Sequence, residues 1–184
     1  MTITPLEIPE VLLIQPRRFG DDRGWFEETW NRKTLAAEGV DMEFVQDNQS
    51  LSRSVGTIRG LHFQAPPFAQ AKLVRVAQGR IHDFAVDIRR SSPTYGKWVG
   101  AELSAENGTQ LLVPQGFAHA FVTREPDTVV CYKVDGFYDK ASEGGIRFDD
   151  PDLAIDWGVP QSDVILSDKD LTLGRLADLP AIFD

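Results

Sequence analysis

Two histidines in matched surroundings are the first residues of this chain able to do chemistry. His62 lies in Thr57–Gln64, TIRGLHFQ, on a short apolar run after Gly56 and Gly60. His119 lies in Gly108–Thr123, GTQLLVPQGFAHAFVT, behind a turn at Pro114 and Gly116. An imidazole with its ordinary pKa near ~6.5 takes or gives a proton close to neutrality, and it also ligates metals. Two imidazoles without a carboxylate or third histidine make a poor divalent site, and the ammonium of Lys72 nearby in sequence raises the electrostatic cost. The expectation is therefore a proton-transfer site without metal or cofactor. His82, in RIHDF, has no comparable context and reads as barrel wall or surface.

The elements that must carry these residues are short strands. From Phe44 onward, FVQDNQSLS, TIRGLHFQ, KLVRVAQG, RIHDFAVDI, KWVGAELS, TQLLVPQG, HAFVT and TVVCYKVDGFY are separated by Gly, Pro, Asn or Ser turns. Eight such runs predict a barrel or jelly roll. The runs flanking Gln78, Gly79 and Arg80 read as a hairpin, and Ala105–Gly108 as a turn. Before them, residues 3–14 carry Pro5 and Pro9, which fits an edge strand open to a second chain. Gly20 and Gly24 bracket a turn before an aromatic-rich strand, and Asn31–Gly39 has the start and stop of one short helix. The tail from Pro160, with LSDKDLTLGRLADL, reads as a loop leading into a short helix against the barrel. One domain over 1–184 is expected: an N-terminal strand region of about 1–43, a barrel of about 44–140 and a C-terminal loop and helix of about 160–184.

Strand alternation assigns faces. Phe117, His119 and Phe121 share one face, and Ala118, Ala120 and Val122 the other. Val130 and Tyr132 go together, opposite Cys131 and Lys133, so the single cysteine packs in a wall. Ile58, Gly60, His62 and Gln64 share a face under strict alternation, which puts Arg59 opposite His62 unless Gly60 hosts a bulge.

Composition narrows the partners. A net charge of −9 repels polyanions, so nucleic acid is not expected, and an anionic small molecule needs a local cluster of cations. No apolar run approaches the ~20 residues of a bilayer helix, and the N-terminus lacks a signal-peptide pattern, so no membrane association and a cytoplasmic location are expected.

Gly, five residues, His, followed later by Gly, five residues, Pro, x, Gly, two residues, His, is the two-part pattern of a cupin barrel. With YKV around Tyr132 and LSDKD at Leu166–Asp170, these segments resemble the RmlC family of dTDP-4-dehydrorhamnose 3,5-epimerases over nearly the whole chain. The resemblance implies an all-β, cupin-type jelly-roll barrel with a few short helices, a homodimer, and a dTDP-4-keto-6-deoxy sugar as substrate. Metal-binding cupins carry His, x, His and a following Glu; here Gln64 takes the second position, and Phe68 and Ala69 stand where the carboxylate is expected.

Inverting a carbon beside a ketone needs a base, a cation at the carbonyl oxygen and an acid opposite the base. The resemblance implies His62 as base, held by Asp170, with Lys72 near the developing oxyanion and Tyr132 as proton donor. On residues alone, Ser167 and Asp170 read as a helix cap, and it is the resemblance that assigns Asp170 to the histidine. The resemblance also implies that Arg59 and His119 donate to phosphate, with Arg23 and Lys169 adding charge. Glu28, Gln46, Asn48 and Glu143 match substrate-contact positions, Tyr138 stacks on the pyrimidine, and Asp47 contributes through its backbone. The alternatives are an epimerase acting at C3 or C5 alone, a sugar ketoisomerase, a non-catalytic sugar-binding cupin and, least well matched, a metal-dependent oxygenase.

Overall fold

The structure is a computed structural model describing residues 1–184. An N-terminal hairpin, β1 (Thr2–Pro5) and β2 (Leu12–Gln15), precedes a ribbon of β3 (Arg18–Asp21) and β4 (Gly24–Glu27) and one helix, α1 (Arg32–Ala37). The eight runs read from the sequence then follow as β5 (Gln46–Ser52), β6 (Ile58–Gln64), β7 (Lys72–Gln78), β8 (Arg80–Asp87), β9 (Trp98–Ser104), β10 (Gln110–Val113), β11 (Phe117–Thr123) and β12 (Thr128–Val134). A short β13 (Glu143–Gly145) closes the strand list. No helix is long and apolar enough to cross a membrane.

The strands form two antiparallel sheets, ordered β1-β2-β10-β7-β12-β5 and β13-β6-β11-β8-β9. Apolar side chains from the inner faces, among them Val74, Val76, Ile81, Leu103, Leu111, Phe117, Phe121 and Val130, fill the space between them. Neither β5 nor β6 contributes to that plug, so the interior stays open at their end. The outer face of the five-stranded sheet presents Ile58, Leu61, Phe63, Phe84, Ala118, Ala120 and Val122, which the C-terminal segment covers with Ile146, Leu153, Trp157 and Leu176. On the other side Leu35 of α1 and Val40 pack on Ile14, Leu73 and Leu112. The helix is capped as its sequence reads, Asn31 accepting from the Thr34 amide at 3.1 Å.

Three expectations need correction. Gln78–Gly79–Arg80 does not join a hairpin: β7 pairs with β10 and β12, whereas β8 pairs with β9 and β11, so the chain changes sheets there. Turn residues report a reversal, not which strands pair across it. The tail holds no α-helix, only three-residue 3₁₀ turns at Gln161–Asp163, Asp170–Thr172 and Leu176–Asp178. Its backbone instead bridges the barrel, Ile165 pairing with Thr57 and Gly174 with Ile146. Finally, Ile58 lies on the outer face with Leu61 and Phe63, not with His62.

The reason is the bulge at Gly60. Across the β6–β11 pair His62 faces His119 and Arg59 faces Phe121, so two steps on β11 span three on β6. The extra residue reverses side-chain parity and brings Arg59 and His62 to one cavity. Gly60 has φ +137, and a Cβ there would run into Ala120 and stand 2.7 Å from the His119 carbonyl oxygen. Gly60→Ala is accordingly expected to cost roughly 2 kcal/mol or more; an unchanged urea midpoint would show that the wall yields at this point.

Candidate active site

The open end of the barrel is a cleft with two lobes of about 290 and 280 Å³. His62, Lys72 and Tyr132 line both lobes, which makes them its shared centre. His62 projects from β6 in one sheet, and Tyr132 from β12 and Lys72 from β7 in the other. The imidazole and the phenol therefore enter from facing walls.

His62 Nε2 lies 2.6 Å from Asp170 Oδ1. Burial pushes the Asp170 carboxyl up, but hydrogen bonds from His62 and Ser167 outweigh it and hold the pKa below the ordinary carboxylate range. A carboxylate can only accept, so Nε2 carries the proton and Nδ1 is left as the basic nitrogen. The Ser167 hydroxyl donates to Asp170 Oδ2 at 2.9 Å and accepts from the Asp170 amide at 3.2 Å. The cap and the dyad are thus one arrangement: the turn that begins at Asp170 aims its carboxylate at His62.

Across the cleft, burial raises the Tyr132 pKa, with Glu143 acting the same way and Arg59 opposing, so the phenol keeps its proton at neutral pH. Burial lowers the Lys72 pKa to about 8; Lys169 adds to the fall while Asp83 and Glu143 resist it. At pH 7 Lys72 is still mostly an ammonium, and it donates to the His62 carbonyl at 3.3 Å. A base, a cation and an acid opposite the base are the groups that proton transfer beside a carbonyl requires.

His119 is buried, and its Nε2 lies 2.7 Å from Oδ1 of Asp83, a carboxylate with no solvent exposure whose Oδ2 has no partner in the chain. Burial lowers the His119 pKa despite Asp83, with Lys72 and His62 reinforcing the fall. The neutral ring turns its proton toward Asp83, so Nδ1 offers a lone pair. Asp83 escaped the sequence reading, although its parity with Ile81 and Ala85 on β8 marks it as a charge facing inward.

Arg59 and Lys169 line the same lobe as His119, and Arg59 is braced by Ser52 Oγ and the Leu51 carbonyl, each at 3.1 Å. Gln46, Asn48, Tyr138 and Glu143 line the other lobe. There Glu143 pairs with Lys169 and accepts from the Tyr138 hydroxyl, while Gln46 donates to Asn48 at 2.8 Å. Two expected side chains, those of Arg23 and Glu28, are not brought to this cleft, and Asp47, expected there through its backbone alone, turns its side chain away. The Asp47 side chain points to the outer face and pairs with Lys133 at 2.7 Å, as strand parity with Gln46 and Asn48 demands. Arg23 sits at the tip of the β3–β4 ribbon beside Asp21, and Glu28 is exposed just beyond that ribbon. No three His, Cys, Asp or Glu side chains converge as a divalent-metal site would require.

An enclosed ammonium costs stability, and the cost has a defined pH window. The folded pKa of about 8 lies below the unfolded 10.5, so the penalty is complete below pH 8 and fades as pH rises toward 10.5. Lys72→Met is expected to be at least as stable as the parent at pH 7, with the difference between them shrinking between pH 8 and 10. Paired urea titrations check this; a difference that does not vary with pH would remove the enclosed charge from the account.

Comparison with known proteins now bears on the geometry. A family model described as dTDP-4-dehydrorhamnose 3,5-epimerase matches residues 5–178. A protein of that name from Sinorhizobium fredii is 51% identical over 183 residues, covering 100% of this chain and 93% of the relative. The crystal structure of dTDP-6-deoxy-D-glucose-3,5-epimerase RmlC from Legionella pneumophila, in complex with dTDP-4-keto-L-rhamnose, superposes with a TM-score of 0.93 at 42% identity, covering 98% of this chain and 95% of the other. That of dTDP-4-dehydrorhamnose 3,5-epimerase from Bacillus anthracis, with TDP and PPi bound, gives 0.91 at 50% identity, covering 95% and 98%. With the family model, the relatives and the solved structures all matching over nearly the whole length, this chain belongs to the dTDP-4-dehydrorhamnose 3,5-epimerase family.

Proposed function

We propose that this chain inverts C3 and C5 of dTDP-4-dehydro-6-deoxy-D-glucose to give dTDP-4-dehydro-β-L-rhamnose. The observation that carries the reading is the approach of His62 and Tyr132 from facing sheets to one cleft, with Lys72 beside them. His62 Nδ1 takes the proton from the carbon next to the C4 ketone, and the C–H electron pair moves onto the carbonyl oxygen. The Lys72 ammonium faces that oxygen and lowers the energy of the enolate. As the enolate collapses, the carbon takes a proton from the Tyr132 hydroxyl on the opposite face of the ring. The C4 carbonyl acidifies both neighbours, so once His62 has released its proton to water and Tyr132 has taken one back, the same groups serve C3 and C5 in turn.

Arg59 and Lys169 answer the diphosphate, and His119 accepts from a sugar hydroxyl. Tyr138 lies against the pyrimidine with Gln46 and Asn48 nearby. A homodimer accounts for Arg23 and Glu28, which a second copy would supply to the cleft. The ribbon that carries Arg23 exposes Trp25 at 60% and Phe26 at 67%, an apolar surface that burial against a neighbour would relieve. β1 pairs with its own β2 and forms a sheet edge, available for extension by a second chain.

Incubation with the dTDP-4-keto-6-deoxy sugar in D₂O, followed by NMR, is expected to place deuterium at both C3 and C5. Label at one carbon would reassign the chain as a single-position epimerase, and no label would make it a binding module. Arg23→Ala and Arg59→Ala are each expected to weaken dTDP binding by roughly tenfold or more. Mixing Arg23→Ala with His62→Asn chains should restore turnover, because one of the two sites in a mixed dimer is then intact. Absence of restoration would put Arg23 in its own chain's site or outside the site altogether.

A further inference from the structure

Gln64 stands two residues beyond His62 on β6, at the position where a metal-binding barrel of this pattern carries its second histidine. Its side chain is buried, and its amide is spent on backbone. Nε2 donates to the Phe68 carbonyl at 2.6 Å and to the Phe137 carbonyl at 3.3 Å, while Oε1 accepts from the Asp139 amide at 2.8 Å. The two bonds to Phe137 and Asp139 fall on either side of Tyr138.

The loop around Tyr138 is held by hydrogen bonds more than by packing. Phe137 is 67% exposed and Tyr138 54%, so their rings supply little packing. Besides Gln64, Gln46 accepts from the Tyr138 backbone at 3.2 Å, Gln70 donates to the Gly136 carbonyl at 2.7 Å, Asp135 accepts from the Ala71 amide at 2.7 Å, the Ser142 carbonyl accepts from the Ala65 amide at 2.7 Å, and Glu143 accepts from the Tyr138 hydroxyl at 3.3 Å. Of these, Gln64 alone is bonded to the loop on both sides of Tyr138 and also to the Ala65–Ala71 connection, through Phe68. A carboxylate of the same shape could not replace it, because it has no N–H for the two carbonyls and would set like partial charges against each other.

We infer that Gln64 is a positioning residue that fixes the Tyr138 ring over the cleft mouth, so that recognition of the nucleotide base, rather than proton transfer, depends on it. The inference rests on the reading of Tyr138 as the surface on which the pyrimidine lies. It explains why the chain keeps a long amide at this place and not a shorter or charged side chain: only Gln combines the reach with donors and an acceptor on one rigid group.

The test measures binding of dTDP and of inorganic pyrophosphate by calorimetry, with steady-state kinetics, on Gln64→Glu, Tyr138→Ala and the double variant. Gln64→Glu should weaken dTDP roughly tenfold while leaving pyrophosphate within about twofold, and the loss should fall on KM more than on kcat. The double variant should bind dTDP no more weakly than the weaker single one, since both changes act through one ring. Gln64→Met, isosteric and uncharged, should repeat the pattern, and it carries the test if Gln64→Glu does not fold. Unchanged dTDP affinity in the Gln64 variants alongside a weakened Tyr138→Ala overturns the inference alone, as does equal loss of dTDP and pyrophosphate, or additivity in the double variant. Unchanged dTDP affinity in Tyr138→Ala overturns the stacking reading, and the inference falls with it.

Discussion

The contact between His62 and Asp170 ties together parts of the molecule that are distant in sequence. One partner comes from a barrel strand and the other from a turn in the C-terminal segment, 108 residues later. That segment also covers the outer face of the five-stranded sheet through Leu153, Trp157 and Leu176, and adds short bridges to Thr57 and Ile146. Hydrophobic burial on the outside of the wall therefore delivers a carboxylate to the inside. The basic nitrogen of His62 is directed by this route, because a carboxylate that only accepts leaves no choice about which ring nitrogen keeps its proton.

Charge is distributed with the same economy. A chain of net charge −9 gathers Arg59, Lys72 and Lys169 along one cleft, and lets neutral His119 line it as an acceptor. Enclosing Lys72 is unfavourable taken alone, and its lowered pKa reports that cost. Asp83 and Glu143 offset part of it from within the protein. The result is a cation that remains charged near neutrality yet is poorly solvated, so its field at a nearby oxygen is stronger than that of a surface lysine.

Much of this was legible in the chain. All eight runs are strands, and the two faces of β11 divide as parity demands, with Phe117 and Phe121 inside and Ala118 and Ala120 outside. Turn chemistry at Gly79 did not reveal that the flanking strands belong to different sheets, since pairing is decided by long-range burial that no local signal carries. The tail misled for a related reason. Its apolar residues and the Ser167–Asp170 cap look helical, yet the residues serve as wedges on a sheet and the aspartate serves the histidine. The side-chain face of Ile58 depended on a single inserted residue, and only Gly60 hinted at it. Arg23 and Glu28 are expected at the site from the resemblance alone, and no local signal in the chain says that they lie away from the cleft.

Placing the imidazole on one sheet and the phenol on the other has a mechanical consequence. Stacked sheets keep a separation near ~10 Å that is set by the girth of the side chains packed between them. Here that filling includes Val76, Leu111, Phe117 and Val130, none of which touches the cleft. The gauge of the jaws that would grip a sugar ring is thus written in the bulk of remote aliphatic and aromatic residues. Selection on the chemistry must reach into a part of the barrel that never meets the substrate.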